Sequence, residues 1–275
     1  DSVPILLVPA SSPRARHDVH PTFRPNETYR TVTKWSGNVS VIEAIPDMLR
    51  RCFTQLRTGR PGPVLLEIPS DILRQELPDG FNFDYQNIIP RKSAGDPQDI
   101  KTAAKMLLSA ERPVLQAGQG VLYAEASDQL KRLAELTGIP VMTTMAGKSS
   151  FPETHVLSLG TRSSTTTDMV VHFLEHSDLV FGIGCSFTRI HYGMNQFDDK
   201  ILVQVTNSPD DLNKDYNTNH AVLGDAKLVL NELIIEIENL LLDGGDYSKF
   251  DFVEEIEGVK KDWFSEWMPH LTSDE

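Results

Sequence analysis

The sequence has 275 residues, of which 40% are hydrophobic and 24% charged, which suits one large or two medium α/β domains. Its net charge is −13, and because residues 1–100 carry 12 basic and 12 acidic side chains, the whole excess lies in 101–275. An acidic chain without a Lys/Arg cluster excludes nucleic-acid binding, and no apolar run is long enough to span a bilayer.

The cysteines and the first residues bear on the cellular compartment. Cys52 and Cys185 are the only cysteines, and their wide spacing favours buried thiols over a disulfide framework. The sequence does not open with a basic stretch and an apolar run, so no signal peptide is expected. We expect a reducing, cytoplasmic environment.

The first segment, 1–74, has the pattern of a partial α/β domain. Strands are expected at Val3–Val8, Thr31–Lys34 and Val64–Ile68, with a loop between the first two. Apolar residues recur at helical spacing over Val41–Leu56, and Gly59 ends that helix. Three strands and one long helix make a small sheet, so we expect only the C-terminal part of a domain.

A polar linker, 75–97, leads into a central domain that we place at 98–242. Asp96 is expected to cap a helix that has Pro97 in its first turn. Apolar strands then alternate with amphipathic helices, which predicts a doubly wound, Rossmann-like parallel sheet covered on both faces. The expected strands are Val114–Gln116, Pro140–Thr144, Leu179–Ile183, Ile201–Thr206 and Ala221–Leu223. The expected helices are one that ends at Thr137, before Gly138, then Asp168–Glu175 and Ala226–Leu242.

The tail, 243–275, is predicted to be a linker followed by an amphipathic helix that ends at Pro269. Its apolar side comprises Phe252, Ile256, Val259, Trp263 and Trp267. Since a contiguous apolar face is unusual on a soluble monomer, we expect this helix and the partial first domain to expose surface that needs a partner.

Two strand ends in the central domain carry glycines. Gly118-Gln119-Gly120 and Gly182-Ile-Gly184 could let a phosphate approach the backbone near a helix N-terminus, or could serve close packing alone. Between them, Met145–Thr166 is predicted to be a long loop that offers Lys148 and Arg162 to an anion, or a mobile solvated loop. If a nucleotide binds, replacing Gly118 by a bulky β-branched residue is expected to abolish binding and leave the fold largely intact.

Other candidate sites are set aside. Gly224-Asp225-Ala226 lacks the third glycine and later asparagines of a magnesium-diphosphate motif, so Asp225 is interpreted as a helix N-cap. The eight histidines show no metal-ligand spacing, and His172 and His176 do not complete the zinc-protease pattern. We predict no catalytic residue and no metal ligand in this chain.

Three stretches resemble the thiamine-diphosphate-dependent enzymes of the acetolactate-synthase type, in that family's order. Thr33-Lys-Trp35 with Gly59–Asp71 resembles the end of the pyrimidine-binding domain. Arg112–Gly120 with Leu133–Val141, and then Ser177–Gly184 with Val222–Lys227, resemble the central domain. The resemblance implies a parent enzyme that joins or decarboxylates 2-oxo acids.

The resemblance also implies where the cofactors bind. In that family a glutamate early in the first domain helps to generate the ylide, and a Gly-Asp-Gly…Asn motif in the third domain holds thiamine diphosphate and magnesium. Neither segment is expected here, so this chain alone is expected to be inactive. The remaining domains of the parent chain and a second copy of the chain are the expected partners.

The family's central domain binds FAD, binds ADP or is empty. The positions that match its nucleotide contacts are Gly118, Gln119, Gly120, Thr144, Gly160, Arg162, Gly184, Cys185, Ser186, Asn207 and Asp225. Val121 stands where the synthases have a third glycine, Ser186 where they have arginine, and Asn207 where they have an acidic residue. Arg189-Ile190 replaces their Asp-Arg pair, and Phe23-Arg-Pro25 a Phe-Gln-Glu. These departures weigh against FAD, and any ADP binding is expected to be weak.

Three hypotheses follow. The first is part of a thiamine-diphosphate carboligase or decarboxylase, the second a stand-alone module that binds an adenine nucleotide, and the third a structural spacer domain.

Overall fold

The computed structural model describes residues 2–83, 86–189, 197–242 and 247–272. The chain divides into two compact units, Asp1–Lys92 and Ser93–Glu275, and the boundary falls within the stretch interpreted as a linker.

The first unit is a small parallel sheet built around one buried strand. Its strands are β1 (Leu6–Leu7), β2 (Ala10–Ser11), β3 (Trp35–Asn38) and β4 (Val64–Pro69). β1 and β2 pair with β4 in one continuous register and form one edge, while β3 forms the other. Every residue of β4 is buried, as its apolar run predicts.

Two helices pack on this sheet. They are α1 (Pro25–Thr28) and α2 (Ile45–Arg57). The apolar side of α2, with buried Cys52, packs against Val64, Leu66 and Ile68, which share one face of β4. The expected βαβ arrangement is therefore present around α2.

The strand predicted at Thr31–Lys34 was wrong by four residues. Its β-branched residues suit a strand better than Trp-Ser-Gly-Asn does, but pairing with β4 decides the position. Gly37 fits there because a Cβ at that position would lie 2.3 Å from the Trp35 ring. Tertiary pairing outweighs local propensity at this edge.

The second unit is an α/β domain around a six-stranded, wholly parallel sheet. Its strands are β5 (Pro113–Ala117), β6 (Val141–Thr144), β7 (Ser158–Arg162), β8 (Leu179–Ile183), β9 (Ile201–Thr206) and β10 (His220–Leu223). Its helices are α3 (Pro97–Ser109), α4 (Gln119–Tyr123), α5 (Ser127–Thr137), α6 (Asp168–His176), α7 (Ala226–Leu242) and α8 (Val253–Leu271).

The strand order is β10-β9-β8-β5-β6-β7, so the chain reverses direction across the sheet between β5 and β8. The crossover from β5 to β6 runs towards one edge of the sheet, and the crossover from β7 to β8 runs back towards the other edge. Because both crossovers are right-handed, their helices α5 and α6 cover opposite faces of the sheet. Helices α3 and α7 pack together, as do α5 and α7, and α8 packs on α6. This is the predicted doubly wound fold.

Several helix ends follow the sequence rules. The Asp96 carboxylate accepts a hydrogen bond from the Gln98 N–H (2.7 Å) and caps α3. Gly138 ends α5 in the left-handed conformation at φ 76°. The helix expected to run without a break to Thr137 is, however, interrupted at Glu125, which has φ 55° and separates α4 from α5.

The segment Met145–Thr166 was predicted to be one long loop, but its last part is strand β7. β7 pairs with β6, and a register shift between Val141 and Met142 accommodates it. Gly160, in the middle of the strand, has φ 97° and interrupts the alternation that would reveal a strand. Sequence periodicity could not show this element.

The tail also differs from expectation. α8 continues through Pro269 and ends two residues later, so that proline lies in the last turn of the helix instead of stopping it. Phe252 and Ile256 are buried in the core of the second unit, and Val259 and Trp263 pack against that core. The expectation that this whole face needs an outside partner was therefore wrong; only Trp267 of the five is exposed.

Candidate functional site

The carboxyl ends of β5 and β8 lie side by side where the chain reverses direction across the sheet. In open parallel sheets ligands bind at such a point, outside the strand ends. The structure places Gly118 and Gly120 after β5, and Gly184 after β8, at this point. The two glycine motifs are thus brought together.

The glycines contact one another directly. The N–H of Gly118 donates to the Ile183 carbonyl (2.8 Å), and that of Gly120 to the Gly184 carbonyl (2.9 Å). A Cβ on Gly118 would lie 2.3 Å from the Gly184 oxygen, and one on Gly120 would lie 2.6 Å from the Gly184 Cα. The space that the glycines leave is therefore filled by backbone of the same domain.

Two features extend this packing. Gly184 has φ 60°, which favours glycine. Gly147, which the sequence analysis did not single out, belongs to the same contact, since a Cβ there would lie 2.5 Å from the Ala117 carbonyl. The expectation that a bulky residue at Gly118 would leave the fold intact was wrong, because such a side chain would collide with backbone.

Arg162, the cation expected to face an anion, packs within the domain. Arg162, the last residue of β7, is buried, and its guanidinium stacks 4.5 Å above the centre of the Phe197 ring. Burial lowers the pKa of this guanidinium from its ordinary value. Arg162 is part of the domain's interior packing.

Aromatic rings continue from Arg162 across the strand ends. Phe197 packs edge-on against Phe187 (5.4 Å) and Tyr216 (5.3 Å), and all three are buried. Arg189 stacks 4.5 Å above the Tyr216 ring and makes an ion pair with Asp198. We call Arg162, Phe187, Arg189, Phe197 and Tyr216 the aromatic cover. No sequence motif predicts the aromatic cover. Only the aromatic side chains of three of its residues suggest that they are buried.

Beside this cover, Cys185 sits on a polar network. Its Sγ accepts from the Gln116 amide (3.5 Å), and its carbonyl accepts from the Gln204 amide (3.0 Å). Burial raises the pKa of the Cys185 thiol to about 11. A thiol with so high a pKa is a poor nucleophile, in keeping with the prediction of a buried, inert cysteine.

The remaining candidates are spread along the strand ends. Thr144 ends β6, and its hydroxyl accepts from the Gly147 N–H (3.1 Å). The Ser186 hydroxyl bonds to that of Thr188 (2.8 Å), and the Gln119 amide reaches the Tyr123 hydroxyl (3.4 Å). Asn207, after β9, is exposed. Ile190, named above with Arg189, lies outside the described residues.

Asp225 is a helix cap, as the sequence analysis predicts. It is buried, and its Oδ1 accepts from the N–H groups of Lys227 (3.2 Å) and Leu228 (3.3 Å) in the first turn of α7. This oxygen is therefore committed to the backbone. Within the described ranges no group of three His, Cys, Asp or Glu side chains could hold a metal ion.

In the part of the chain that the structure describes, none of the helices combines the length and the apolar character that a membrane crossing requires.

Comparison with known proteins assigns the second unit to a family. Residues 100–233 match the family model described as "Thiamine pyrophosphate enzyme, central domain". This range runs from α3 into α7 and includes every strand of the larger sheet.

Relatives match over almost the whole chain. A protein of Methanocaldococcus jannaschii named "Probable acetolactate synthase large subunit" is 32% identical over 270 residues, which are 95% of this chain and 45% of that protein. Glyoxylate carboligase of Escherichia coli O157:H7 is 32% identical over 89% of this chain and 42% of its own length. The chain thus spans less than half the length of these relatives.

Solved structures support the fold. Benzoylformate decarboxylase from Polynucleobacter necessarius superimposes with a TM-score of 0.72 at 22% identity, over 86% of this chain and 45% of that one. The family model, the relatives and the fold lead to one assignment. This chain belongs to the thiamine-pyrophosphate-dependent enzymes, and its residues 100–233 form their central domain.

Proposed function

We propose that this chain is the central part of a thiamine-diphosphate-dependent enzyme that joins or decarboxylates 2-oxo acids, of the acetolactate-synthase type. The observation that carries the proposal is the 32% identity over 95% of the chain, because it covers the first unit as well as the central domain. The relatives named as acetolactate synthase and glyoxylate carboligase support carboligation as the reaction class.

The described residues do not fit thiamine diphosphate and magnesium. Magnesium requires several oxygen ligands, commonly including carboxylates and phosphates. The only residue in a remotely similar motif, Asp225, uses its carboxylate oxygen to cap α7. We therefore propose that other segments of the enzyme hold the cofactor and perform the chemistry.

For the central domain we propose a structural role within this enzyme. A phosphate at the β5 turn would need the backbone that Gly118 and Gly120 present, but Gly184 packs against it. Arg162 is stacked on Phe197, and α4 has only five residues, which gives it a small dipole. The strand-end region is thus largely occupied by the domain's own side chains.

The alternative is that the central domain binds FAD or ADP, either within the enzyme or as a stand-alone module. Its support is the position of the glycines at the reversal point of the sheet. Purified protein is expected to be colourless, and isothermal titration with ADP is expected to show weak binding or none. Flavin absorbance or micromolar ADP binding would favour the alternative.

The reaction itself is tested by comparing this chain with a longer product of the same gene. The longer protein is expected to release CO₂ from, or to join, 2-oxo acids when thiamine diphosphate and magnesium are added. The 275-residue chain, assayed at equal concentration, is expected to be inactive. Turnover by this chain alone would contradict the assignment of the chemistry to other segments, and inactivity of a folded longer protein on all 2-oxo acids tried would contradict the proposed reaction.

We further propose that the remaining domains of the enzyme and a second copy of the chain are its partners. The exposed apolar side chains of the first segment, among them Ile5 and Leu7, are the observation that supports a covering partner.

A further inference from the structure

The most deeply buried contacts of helix α8 with the second unit lie at its start. Phe252 precedes the helix and packs edge-on against Phe173 of α6, with ring centres 5.8 Å apart. Ile256, one turn later, is 2% exposed and belongs to the same core. Beyond this turn the helix becomes progressively exposed, and Phe264, Trp267 and Met268 face solvent.

Two carboxylates lie between these apolar anchors, and that of Glu255 makes the ion pairs with the rest of the second unit. Its Oε1 accepts from the Arg112 guanidinium (2.6 Å) and contacts Nε2 of His172 (2.7 Å). The Arg112 guanidinium also stacks over the rings of Phe252 (5.2 Å) and Phe173 (5.9 Å). One carboxylate thus connects α8 with the start of β5 and with α6.

The other charged groups nearby do not replace Glu255. The His176 ring lies 4.6 Å from the His172 ring, but its Nδ1 bonds to the His172 carbonyl. Asp178 accepts from the backbone N–H groups of Glu111 and Arg112 and so fixes the position of Arg112. Glu254 and Glu257, which flank Glu255 on α8, are exposed.

We propose that Glu255 is a pH-sensitive latch, whose protonation releases α8 from α6 while the rest of the second unit stays folded. A neutral carboxyl loses the charge that attracts the Arg112 guanidinium and weakens the contact with His172. The remaining attachment is then apolar: Phe252 and Ile256 hold the start of the helix, and the partly buried Val259 and Trp263 pack further along it.

The direction of the pH dependence follows from the contacts. Burial raises the pKa of the Glu255 carboxyl, but the hydrogen bonds from His172 and Arg112 outweigh it and hold the pKa below its ordinary value. Because the pKa of Glu255 is lower in the docked state, the ionised carboxyl stabilises docking at pH values above its ordinary pKa of about 4.3. This stabilisation is lost as the pH falls through the lower pKa of the docked state. Above this range the Glu255 carboxylate stays ionised, so docking persists.

Tryptophan fluorescence can follow α8 alone. Two of the three tryptophans, Trp263 and Trp267, lie on α8, so the full chain with Trp35→Phe reports on this helix. Far-UV circular dichroism follows the secondary structure of the whole chain, to which α8 contributes only one helix of several. We expect fluorescence to change below about pH 4, before the dichroism is lost. In Glu255→Gln this early change is expected to vanish. In His172→Leu it is expected to move to higher pH, because one partner that lowers the Glu255 pKa is gone.

Glu257→Gln is the matched control, since it removes an exposed carboxylate from the same helix, and it is expected to behave as the parent. An early transition in Glu255→Gln equal to that of Glu257→Gln would overturn the latch. So would fluorescence and dichroism that change together in the parent chain, because α8 would then not be released separately.

Discussion

Gly118 lies at the point where two loops of the central domain touch. Because Cβ atoms do not approach backbone oxygens to 2.3 Å, Gly118→Ala must displace the Gly184 segment. Forced overpacking of this kind costs about 1–3 kcal/mol. We expect chemical denaturation to show a loss of this size in the free energy of unfolding.

The matched control is Gly258→Ala, because Gly258 lies in α8 and a Cβ there would meet nothing within 4 Å. Alanine is the better helix former, so this variant is expected to be about as stable as the parent or more stable. Equal effects of the two substitutions would show that the glycine contact at the strand ends does not matter.

Both cysteines are expected to be unreactive in the folded chain. Burial raises the pKa of Cys52 and of Cys185 to about 11. At pH 8 only about one thiol in a thousand would then be ionised, against roughly a quarter for an ordinary cysteine of pKa about 8.5. A thiol reagent should label neither in native protein and both in denaturant.

The same shift predicts a pH dependence of stability. Because the thiol pKa is higher in the folded chain, each thiol contributes to the free energy of unfolding at pH values below its ordinary pKa. This contribution is lost as the pH rises through about 11. Cys52→Ala should reduce this loss of stability at alkaline pH in the first unit.

Fast labelling of either thiol at pH 8 without unfolding would contradict the burial that the structure shows.

The C-terminus of helix α2 is bound by a lysine side chain from outside the helix. Lys34 Nζ donates to the carbonyls of Gln55 (2.5 Å) and Thr58 (2.6 Å), which lie at the C-terminus of α2. A cation there satisfies free carbonyls and favours the helix dipole. Lys34→Met is expected to destabilise the first unit by about 1 kcal/mol, measured by thermal unfolding. Arg51→Met, at an exposed position of the same helix, should change much less.

Helix α8 is expected to contribute to the stability of the second unit through its first turn. Ile256→Ala would leave a cavity in the core and should cost about 2–5 kcal/mol in the free energy of unfolding. Trp267→Ala removes a larger but exposed side chain from the same helix and should cost far less. If both variants had equal stability, α8 would not be docked as described.

The sequence predicted elements well where periodicity and caps agreed. Helices α3 and α7, with Asp96 and Asp225 at their starts, and the fully buried strands β4, β5 and β8 were found from local signals. Strand β7 and the shifted β3 were missed because glycines mask their pattern and pairing with a neighbouring strand decides their position.

At the candidate site the sequence could predict which residues follow the strand ends, but not how they pack. The sequence located the glycines at two strand ends, and the topology confirms that these ends are adjacent. It could not show that the glycines pack on each other, or that Arg162 stacks on Phe197, because both depend on how distant segments meet. The same composition would suit an open phosphate site.

At the scale of the whole molecule, we propose that this chain supplies the middle of a thiamine-diphosphate-dependent enzyme whose cofactor site is built by other segments. Sequencing the coding region on both sides of the codons for Asp1 and Glu275 tests it most directly. We expect an open frame that encodes a glutamate-bearing half-domain upstream and a Gly-Asp-Gly…Asn motif downstream. Stop codons directly on both sides of the 275 codons would show that no other segment of this chain supplies the cofactor site.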